Sequence, residues 1–117
     1  MLLSEEGKEI LDTIIDALEI DRPTAIKIAL AKGIATAKDS NTEEYSGGKN
    51  KWTIPDAIIK DKEYLLFKHL IINEMDQQLS DEEVQKYMLR YIENGLRKLA
   101  EISQQKTSME DFRLSIL

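Results

Sequence analysis

The sequence predicts an all-α protein, a compact bundle of four main helices with a long polar loop after the second helix. Three observations lead to this fold class. Apolar residues recur at helical spacing in four segments. Serine or aspartate stands at the start of three of them, where a helix needs a side-chain cap. The 117 residues include no cysteine, which excludes a disulfide framework, and they have the length of one domain. We therefore expect residues 1–117 to form a single helical domain.

The first two helices follow each other closely. Ser4 is the expected cap of a helix over roughly 5–19, whose apolar stripe includes Ile10 and Ile14. Asp21 restarts the chain as a second cap, and Pro23 is tolerated because it falls in the first helical turn. Gly33 either interrupts the second helix or ends it at a left-handed position.

Residues 38–51 are polar and predict a loop that is long enough to carry a function. The stretch Trp52-Thr53-Ile54 predicts a short extended segment, which Pro55 ends. A short helical turn is expected at 56–60.

The third and fourth helices make up the second half of the chain. The third is expected from about Asp61 to Met75, and its apolar residues are Leu65, Leu66, Leu70, Ile71 and Ile72. Ser80 and Glu83 form a capping box for a fourth helix that ends near Ser103. Glu93 and Arg97 are spaced as an i,i+4 ion pair, which we place on the solvated face of that helix. A last short helix is expected within 107–117.

Two single residues carry structural predictions. Gly95 interrupts the apolar seam of the fourth helix, where glycine costs about 1 kcal/mol relative to alanine. We therefore expect another backbone to approach closely there, within the subunit or across an interface. His69, the only histidine, lies at helical spacing between Leu65 and Ile72, so we expect a partly buried structural side chain.

Charge is distributed unevenly along the chain. The net charge of −6 argues against a non-specific polyanion binder. Residues 1–21 hold one base and seven acids, and residues 69–117 hold six bases and nine acids. Residues 22–68 hold nine bases and six acids, so a basic segment lies between two acidic ones. We therefore expect any anion-binding face to be modest and to lie in this middle segment.

The residue inventory argues against catalysis. With one histidine and no cysteine, we expect no enzyme, no catalytic residues, no cofactor and no metal site. No apolar run approaches the roughly 20 residues of a membrane span. Acidic residues stand where a signal peptide has basic ones. We expect a soluble, cytoplasmic protein without a membrane partner.

Gly47-Gly48-Lys49 has the glycines that let backbone N–H groups point at a phosphate, but the Walker pattern fails at Glu43 and Asn50. A flexible surface loop is the alternative. Lys49 and Lys51 stand beside Trp52, so phosphate pairing and base stacking are one interpretation of this stretch. The other interpretation is that Trp52 anchors the loop onto the core.

The second helix is the other basic element. Arg22, Lys27, Lys32 and Lys38 are separated by 5, 5 and 6 residues. At 100° per residue this spacing spirals around a helix, so only a subset can face one phosphate track. An oligomer would repeat such a small patch symmetrically.

Residues 3–34 resemble the two helices of a ribbon-helix-helix repressor. The resemblance rests on a helix, a short turn, a polar-proline restart and the Ala-Leu-x-x-Gly ending at Gly33. It implies a ribbon-helix-helix-like first helical pair and a dimeric transcriptional regulator. In that family a strand precedes the helices, and only Met1-Leu2-Leu3 are available for it here.

A wider resemblance covers roughly residues 8–102. Its motifs are Lys27-Ile28-Ala29-Leu30, Gly47-Gly48-Lys49, Trp52-Thr53-Ile54 and Tyr91-Ile92-Glu93-Asn94-Gly95-Leu96. In this order they resemble the DndE family, the small component of bacterial DNA phosphorothioation, a sulfur modification of DNA used in restriction-modification defence.

This resemblance implies an all-helical homotetramer that binds duplex DNA, with nicked duplex favoured, through surface lysines. The sulfur chemistry then belongs to partner proteins of the same complex. Residue by residue, it points to Lys27 and Lys49 as DNA-binding. Charge placement alone adds four more bases to the predicted DNA-binding residues: Arg22, Lys32, Lys38 and Lys51. The alternatives are a ribbon-helix-helix-like transcriptional regulator, and a protein-interaction module that assembles a larger complex through the acidic ends and the apolar tail 112–117.

Overall fold

Helices account for most of the computed structural model, which describes residues 1–36, 51–55 and 58–105. The elements in chain order are β1 (Leu2–Leu3), α1 (Glu5–Leu18), α2 (Arg22–Ala35), β2 (Trp52–Thr53), α3 (Asp61–Met75) and α4 (Asp81–Gln105). The all-α fold class with four main helices is confirmed. The predicted loop at 38–51, apart from Lys51, and the predicted last helix within 107–117 lie outside the described residues, as do positions 56 and 57 of the predicted turn.

The predicted caps are present. The hydroxyl of Ser4 accepts a hydrogen bond of 3.0 Å from the Gly7 N–H, and α1 begins at the next residue. The Asp21 carboxylate accepts one of 2.8 Å from the Thr24 N–H at the start of α2. These bonds satisfy N–H groups that a helix leaves without an internal partner.

The capping box at the start of α4 is also present. The Ser80 hydroxyl accepts a bond of 3.3 Å from the Glu83 N–H, and the Glu83 carboxylate accepts one of 3.2 Å from the Ser80 N–H. Two N–H groups are thus satisfied reciprocally, as this motif requires.

The packing of α2 on α4 forms the centre of the fold through two glycines. A Cβ added at Gly95 would overlap the Ala29 carbonyl oxygen, and one added at Gly33 would overlap the Tyr91 carbonyl oxygen. The prediction of a close backbone approach at Gly95 is confirmed, and the approaching backbone belongs to α2 of the same chain. Gly33 lies inside α2, which continues to Ala35, so the prediction that it interrupts or ends the helix is wrong.

A strand pair that the sequence did not reveal ties the start of the chain to its middle. Leu2 pairs with Thr53 and Leu3 with Trp52 in an antiparallel ladder, and the Ile54 N–H donates to the Met1 carbonyl at 2.8 Å. The extended segment at Trp52 is therefore confirmed, and its partner is the stretch just before α1. This places β2 beside the N-terminal end of α1.

The predicted burial is wrong at two residues, Glu93 and His69. Glu93 is fully buried, although its spacing from Arg97 suggested a solvated face. On α3 the buried residues are Phe67 and Ile71, whereas Leu65, Leu66 and Leu70 are exposed. His69 is exposed as well, so the prediction of a partly buried histidine is also wrong.

Candidate nucleic-acid interface

Two cations lie over the ring of Trp52. The Lys8 Nζ is 5.8 Å and the Arg22 Cζ is 5.0 Å from the ring centroid. Asp12 contacts both cations, with its Oδ2 at 2.6 Å from Lys8 Nζ and its Oδ1 at 3.6 Å from Arg22 Nη2. We call Lys8, Asp12, Arg22 and Trp52 the Trp52 cluster. It combines an aromatic face with two positive charges and one negative charge.

Three elements position the Trp52 cluster. Lys8 and Asp12 are one turn apart on α1, which brings their side chains together. Arg22 is the first residue of α2, directly after the short connection from α1. Trp52 reaches both because Leu3, its partner in the ladder, is two residues before α1. The unpredicted strand pair therefore builds the site.

Trp52 anchors β2 and still keeps part of its surface open. The side chain packs against the buried core cluster, which confirms the anchoring interpretation of this residue. The residue is only partly buried. Each cation at such a site is attracted to the ring by about 0.5–1 kcal/mol, because the face of an aromatic ring carries negative potential.

The two cations differ in access. The Arg22 side chain is 45% exposed, whereas that of Lys8 is 23% exposed. The contact of Arg22 with Asp12 is longer and lies in solvent, where an ion pair contributes about 0–1 kcal/mol. Arg22 is thus the cation in the cluster best able to exchange its carboxylate for a phosphate oxygen.

Lys51 is the next base along this edge. It is exposed, directly precedes Trp52, and forms no ion pair within the described part of the chain. Side chains alternate across a strand, so Lys51 and the exposed Thr53 lie on the opposite side of β2 from the Trp52 ring. A nucleic acid that contacts both Lys51 and Arg22 must therefore run across the edge of β2.

The other predicted bases are distributed as the spiral spacing predicts. The Lys27 Nζ lies 2.9 Å from Glu63 Oε1, so this lysine contacts α3 and not the Trp52 cluster. Lys32 is half-buried in the last turn of α2, where its charge complements the helix dipole. Lys38 and Lys49 lie outside the described residues. Among the four predicted bases that the structure describes, Arg22 and Lys51 are the ones placed beside Trp52.

Lys8 is the functional candidate that sequence reasoning missed. It is the only base among the first 21 residues and was counted with an acidic segment. Its i,i+4 spacing from Asp12 was a usable signal of an ion pair, but not of contact with Trp52, which depends on the strand pairing.

The cap of α2 adds a charge close to this surface. The Thr24 hydroxyl, and after it the Thr24 N–H, holds the pKa of Asp21 below its usual range by hydrogen bonding to the carboxylate. Asp21 therefore remains ionised beside Arg22. Together with Asp12, it limits the positive potential of the Trp52 cluster.

Within residues 1–36, 51–55 and 58–105, no three His, Cys, Asp or Glu side chains are grouped so that they could hold a metal ion. A pocket of ≈ 40 Å³ has room for water molecules and is lined by Met1, Pro55, Ile59, Tyr64, Gln85 and Met88. None of the helices in these ranges is long and apolar enough to cross a bilayer.

Comparisons with known proteins do not assign the chain to a family. No protein-family model matches the sequence, and searches of curated proteins and of solved structures gave no significant match.

Proposed function

We propose that this protein is a non-catalytic DNA-binding accessory subunit of a DNA sulfur-modification system. It acts as a homo-oligomer beside the proteins that perform the chemistry. The observation that carries the DNA-binding part is the Trp52 cluster, in which Arg22 and Lys8 lie over a partly exposed indole next to the exposed Lys51. The sulfur-modification part rests on the sequence resemblance.

The chemistry of the cluster fits a nucleic-acid backbone. Arg22 and Lys51 contact phosphate oxygens across the edge of β2, because both side chains are accessible. When Arg22 leaves the Trp52 ring for a phosphate, the ring offers a stacking surface to a base that has left its stack, as at a nick. Asp12 and the net charge of −6 keep the affinity of one subunit low and strongly dependent on salt.

Lys27 and Lys32 extend the basic surface around α2. The ion pair of Lys27 with Glu63 is partly exposed, at 30% and 50%, so it contributes little and is readily exchanged for a phosphate. The proposed DNA-binding residues also include Lys38 and Lys49, which are assigned from the sequence. Repetition of this small surface by an oligomer gives the avidity that a single subunit lacks.

The test is fluorescence anisotropy with labelled intact and nicked duplexes over a series of salt concentrations. Each phosphate contact contributes about one unit to the slope of log K against log salt. An Arg22→Gln/Lys51→Gln variant should therefore make this negative slope less steep by about 2. The matched control is Lys86→Gln, which neutralises an exposed base on α4 that is not part of the Trp52 cluster.

Two results would contradict this proposal. One is no binding of either duplex at low salt. The other is a slope that the Arg22→Gln/Lys51→Gln variant leaves equal to that of the Lys86→Gln control. Because Trp52 is the only tryptophan, its fluorescence gives a second readout, which should change on binding if the indole contacts the DNA.

A ribbon-helix-helix-like regulator is the second candidate, favoured by the order β1-α1-α2. The hydrogen bonds of β1, however, go to β2 of the same chain and not to a second subunit. A regulator would bind its own promoter as a dimer and distinguish it from scrambled DNA, whereas the accessory subunit would bind both equally.

A further inference from the structure

The outer face of α3 is apolar. In the described part of the chain, Leu65, Leu66 and Leu70 are 52%, 56% and 40% exposed, and His69 beside them is exposed too. The helix uses Phe67 and Ile71 to contact the rest of the fold. A cluster of three exposed leucines on one helix face is typical of an interaction surface.

Charges are placed in a definite order along this face. Lys62, Leu66, Leu70 and Glu74 are each four residues apart, so they form one ridge along the helix surface. A base stands at one end of the ridge and an acid at the other. Neither charge takes part in an ion pair within the described ranges, whereas Glu63 and Lys68 of the same helix pair with Lys27 and Asp81.

We propose that α3 packs antiparallel against α3 of a second copy of this chain, across a twofold axis. When this ridge faces a reversed copy of itself, each base lies opposite an acid and each leucine lies opposite a leucine. In this arrangement Lys62 meets the partner's Glu74, and Leu66 packs on the partner's Leu70. Both contacts then occur twice, as in any isologous interface. Ridges of this type align when two helices cross at about −50°.

Self-complementarity selects a second copy over a different protein. A different partner would need only leucines and some arrangement of charge, with no reason for the ridge to match its own reverse. The twofold arrangement removes Leu66 and Leu70 of each copy from water and pairs both end charges. It also leaves the Trp52 cluster free, since that cluster is built from α1, α2 and β2.

The interface is small. A helix of 15 residues is about 22 Å long, so one helix pair falls well below the roughly 800 Å² per partner of a standard stable interface. We therefore expect a dimer that dissociates on dilution in the micromolar range. The inference deepens the proposed function by assigning the oligomer contact. It can be tested without DNA, so its failure and that of DNA binding are distinguishable.

The experiment is sedimentation of the full chain over a concentration series. Lys62→Glu and Glu74→Lys should each raise the dimer dissociation constant about tenfold, because like charges then meet at both ends. The double variant Lys62→Glu/Glu74→Lys should restore it to within about twofold, since the pairing is only reversed. Leu66→Ser/Leu70→Ser should raise it by about 100-fold. Leu2→Ser, at an exposed leucine on β1, is the matched control and should have no effect.

Orientation has an independent test because the chain contains no cysteine. Mixed Leu66→Cys and Leu70→Cys proteins should form a covalent dimer faster than either protein alone. The proposal is wrong if the wild-type protein stays monomeric at millimolar concentration. It is also wrong if the Leu66→Ser/Leu70→Ser variant keeps its melting temperature and sediments like the Leu2→Ser control. A third contradicting result is a charge-swapped double variant whose dimer dissociation constant is as high as those of the single variants.

Discussion

The hydroxyl of Ser4 donates a hydrogen bond of 2.9 Å to the carboxylate of Glu93, which is 89 residues further along the chain. The backbone N–H of Ser4 donates to the same carboxylate at 3.2 Å, and Arg97 Nη1 approaches it at 3.2 Å. A buried charge is tolerated when it is paired and hydrogen-bonded in this way. Gly7 is part of the arrangement, because a Cβ there would overlap Glu93 Oε1.

Replacing Glu93 with alanine should destabilise the fold by about 3–5 kcal/mol, because Arg97 and two donors of Ser4 lose their acceptor inside the protein. Glu93→Gln keeps one oxygen acceptor and should lie between alanine and wild type. Urea unfolding measures both. The control is Glu101→Ala, which removes an exposed carboxylate 3.6 Å from Lys98 and should change stability by about 1 kcal/mol or less. Equal effects of Glu93→Ala and Glu101→Ala would contradict the buried network.

Gly95→Ala should destabilise the protein even though alanine is the better helix former by about 1 kcal/mol. The added Cβ meets the Ala29 carbonyl oxygen, so α2 and α4 must separate, and overpacking of this kind costs about 1–3 kcal/mol. Thermal unfolding gives the readout. Lys86→Ala, on the exposed side of the same helix, should stay within about 0.5 kcal/mol of wild type. A more stable Gly95→Ala protein would show that the two backbones are not in contact.

The adjacent leucines of β1 should differ sharply. Leu3 is fully buried opposite Trp52, so Leu3→Ala should cost about 2–5 kcal/mol. Leu2 is 47% exposed on the other side of the strand, and Leu2→Ala should change stability by about 0.5 kcal/mol or less. Urea unfolding of the two variants compares them directly. Similar losses at both positions would mean that this segment does not alternate as a strand.

Stability should fall in acid through two carboxylates at helix N-termini, the Asp21 cap of α2 and Asp81, the first residue of α4. The Lys68 ammonium, and after it the Tyr64 hydroxyl, holds the pKa of Asp81 below its usual value of 3.8, and Thr24 does the same for Asp21. A pKa lowered by folding contributes stability above the unfolded-state value, and this contribution is lost as the pH falls through the folded-state value. The loss is therefore expected below pH 3.8.

Asn keeps an oxygen that accepts the Thr24 bond at position 21 and the Tyr64 and Lys68 bonds at position 81, but it does not titrate. An Asp21→Asn/Asp81→Asn variant should therefore lose less stability in acid than the wild type. Urea midpoints measured between about pH 5 and pH 2 give the comparison. Thr24→Ala removes the hydroxyl bond that contributes most at Asp21 and should reduce the acid dependence part of the way. Parallel curves for the wild type and the double variant would contradict the assignment.

The sequence predicted helix positions well because caps and periodicity are local signals. α3 begins and ends at the predicted Asp61 and Met75. Its buried face could not be read, because apolar residues run through consecutive positions from Tyr64 to Phe67 and from Leu70 to Ile72, and they cover more than one face. The exposure of Leu65 and Leu66 is set by contacts with α2 and α4, which periodicity does not contain.

The remaining errors involve contacts between distant residues. The spacing of Glu93 and Arg97 correctly indicated an ion pair, but the burial of Glu93 depends on Ser4 at the other end of the chain. The strand at Leu2–Leu3 is too short to show a period. Lys8 lies in the candidate site because that strand pairs beside Trp52. A count of charges along the sequence does not contain this pairing, and it places Lys8 in the acidic segment.

The bond between Ser4 and Glu93 also has a consequence for biosynthesis. A ribosome adds about 5–20 residues per second, so roughly 4–18 s separate the synthesis of these two residues. During that interval the nascent chain contains α1 but lacks the Glu93 carboxylate that accepts the hydrogen bonds of Ser4. Gly95, on which α2 packs, has not been synthesised either. The first turn of α1 is thus completed by a residue that is synthesised seconds later, and nascent-chain partners have that time in which to engage α1.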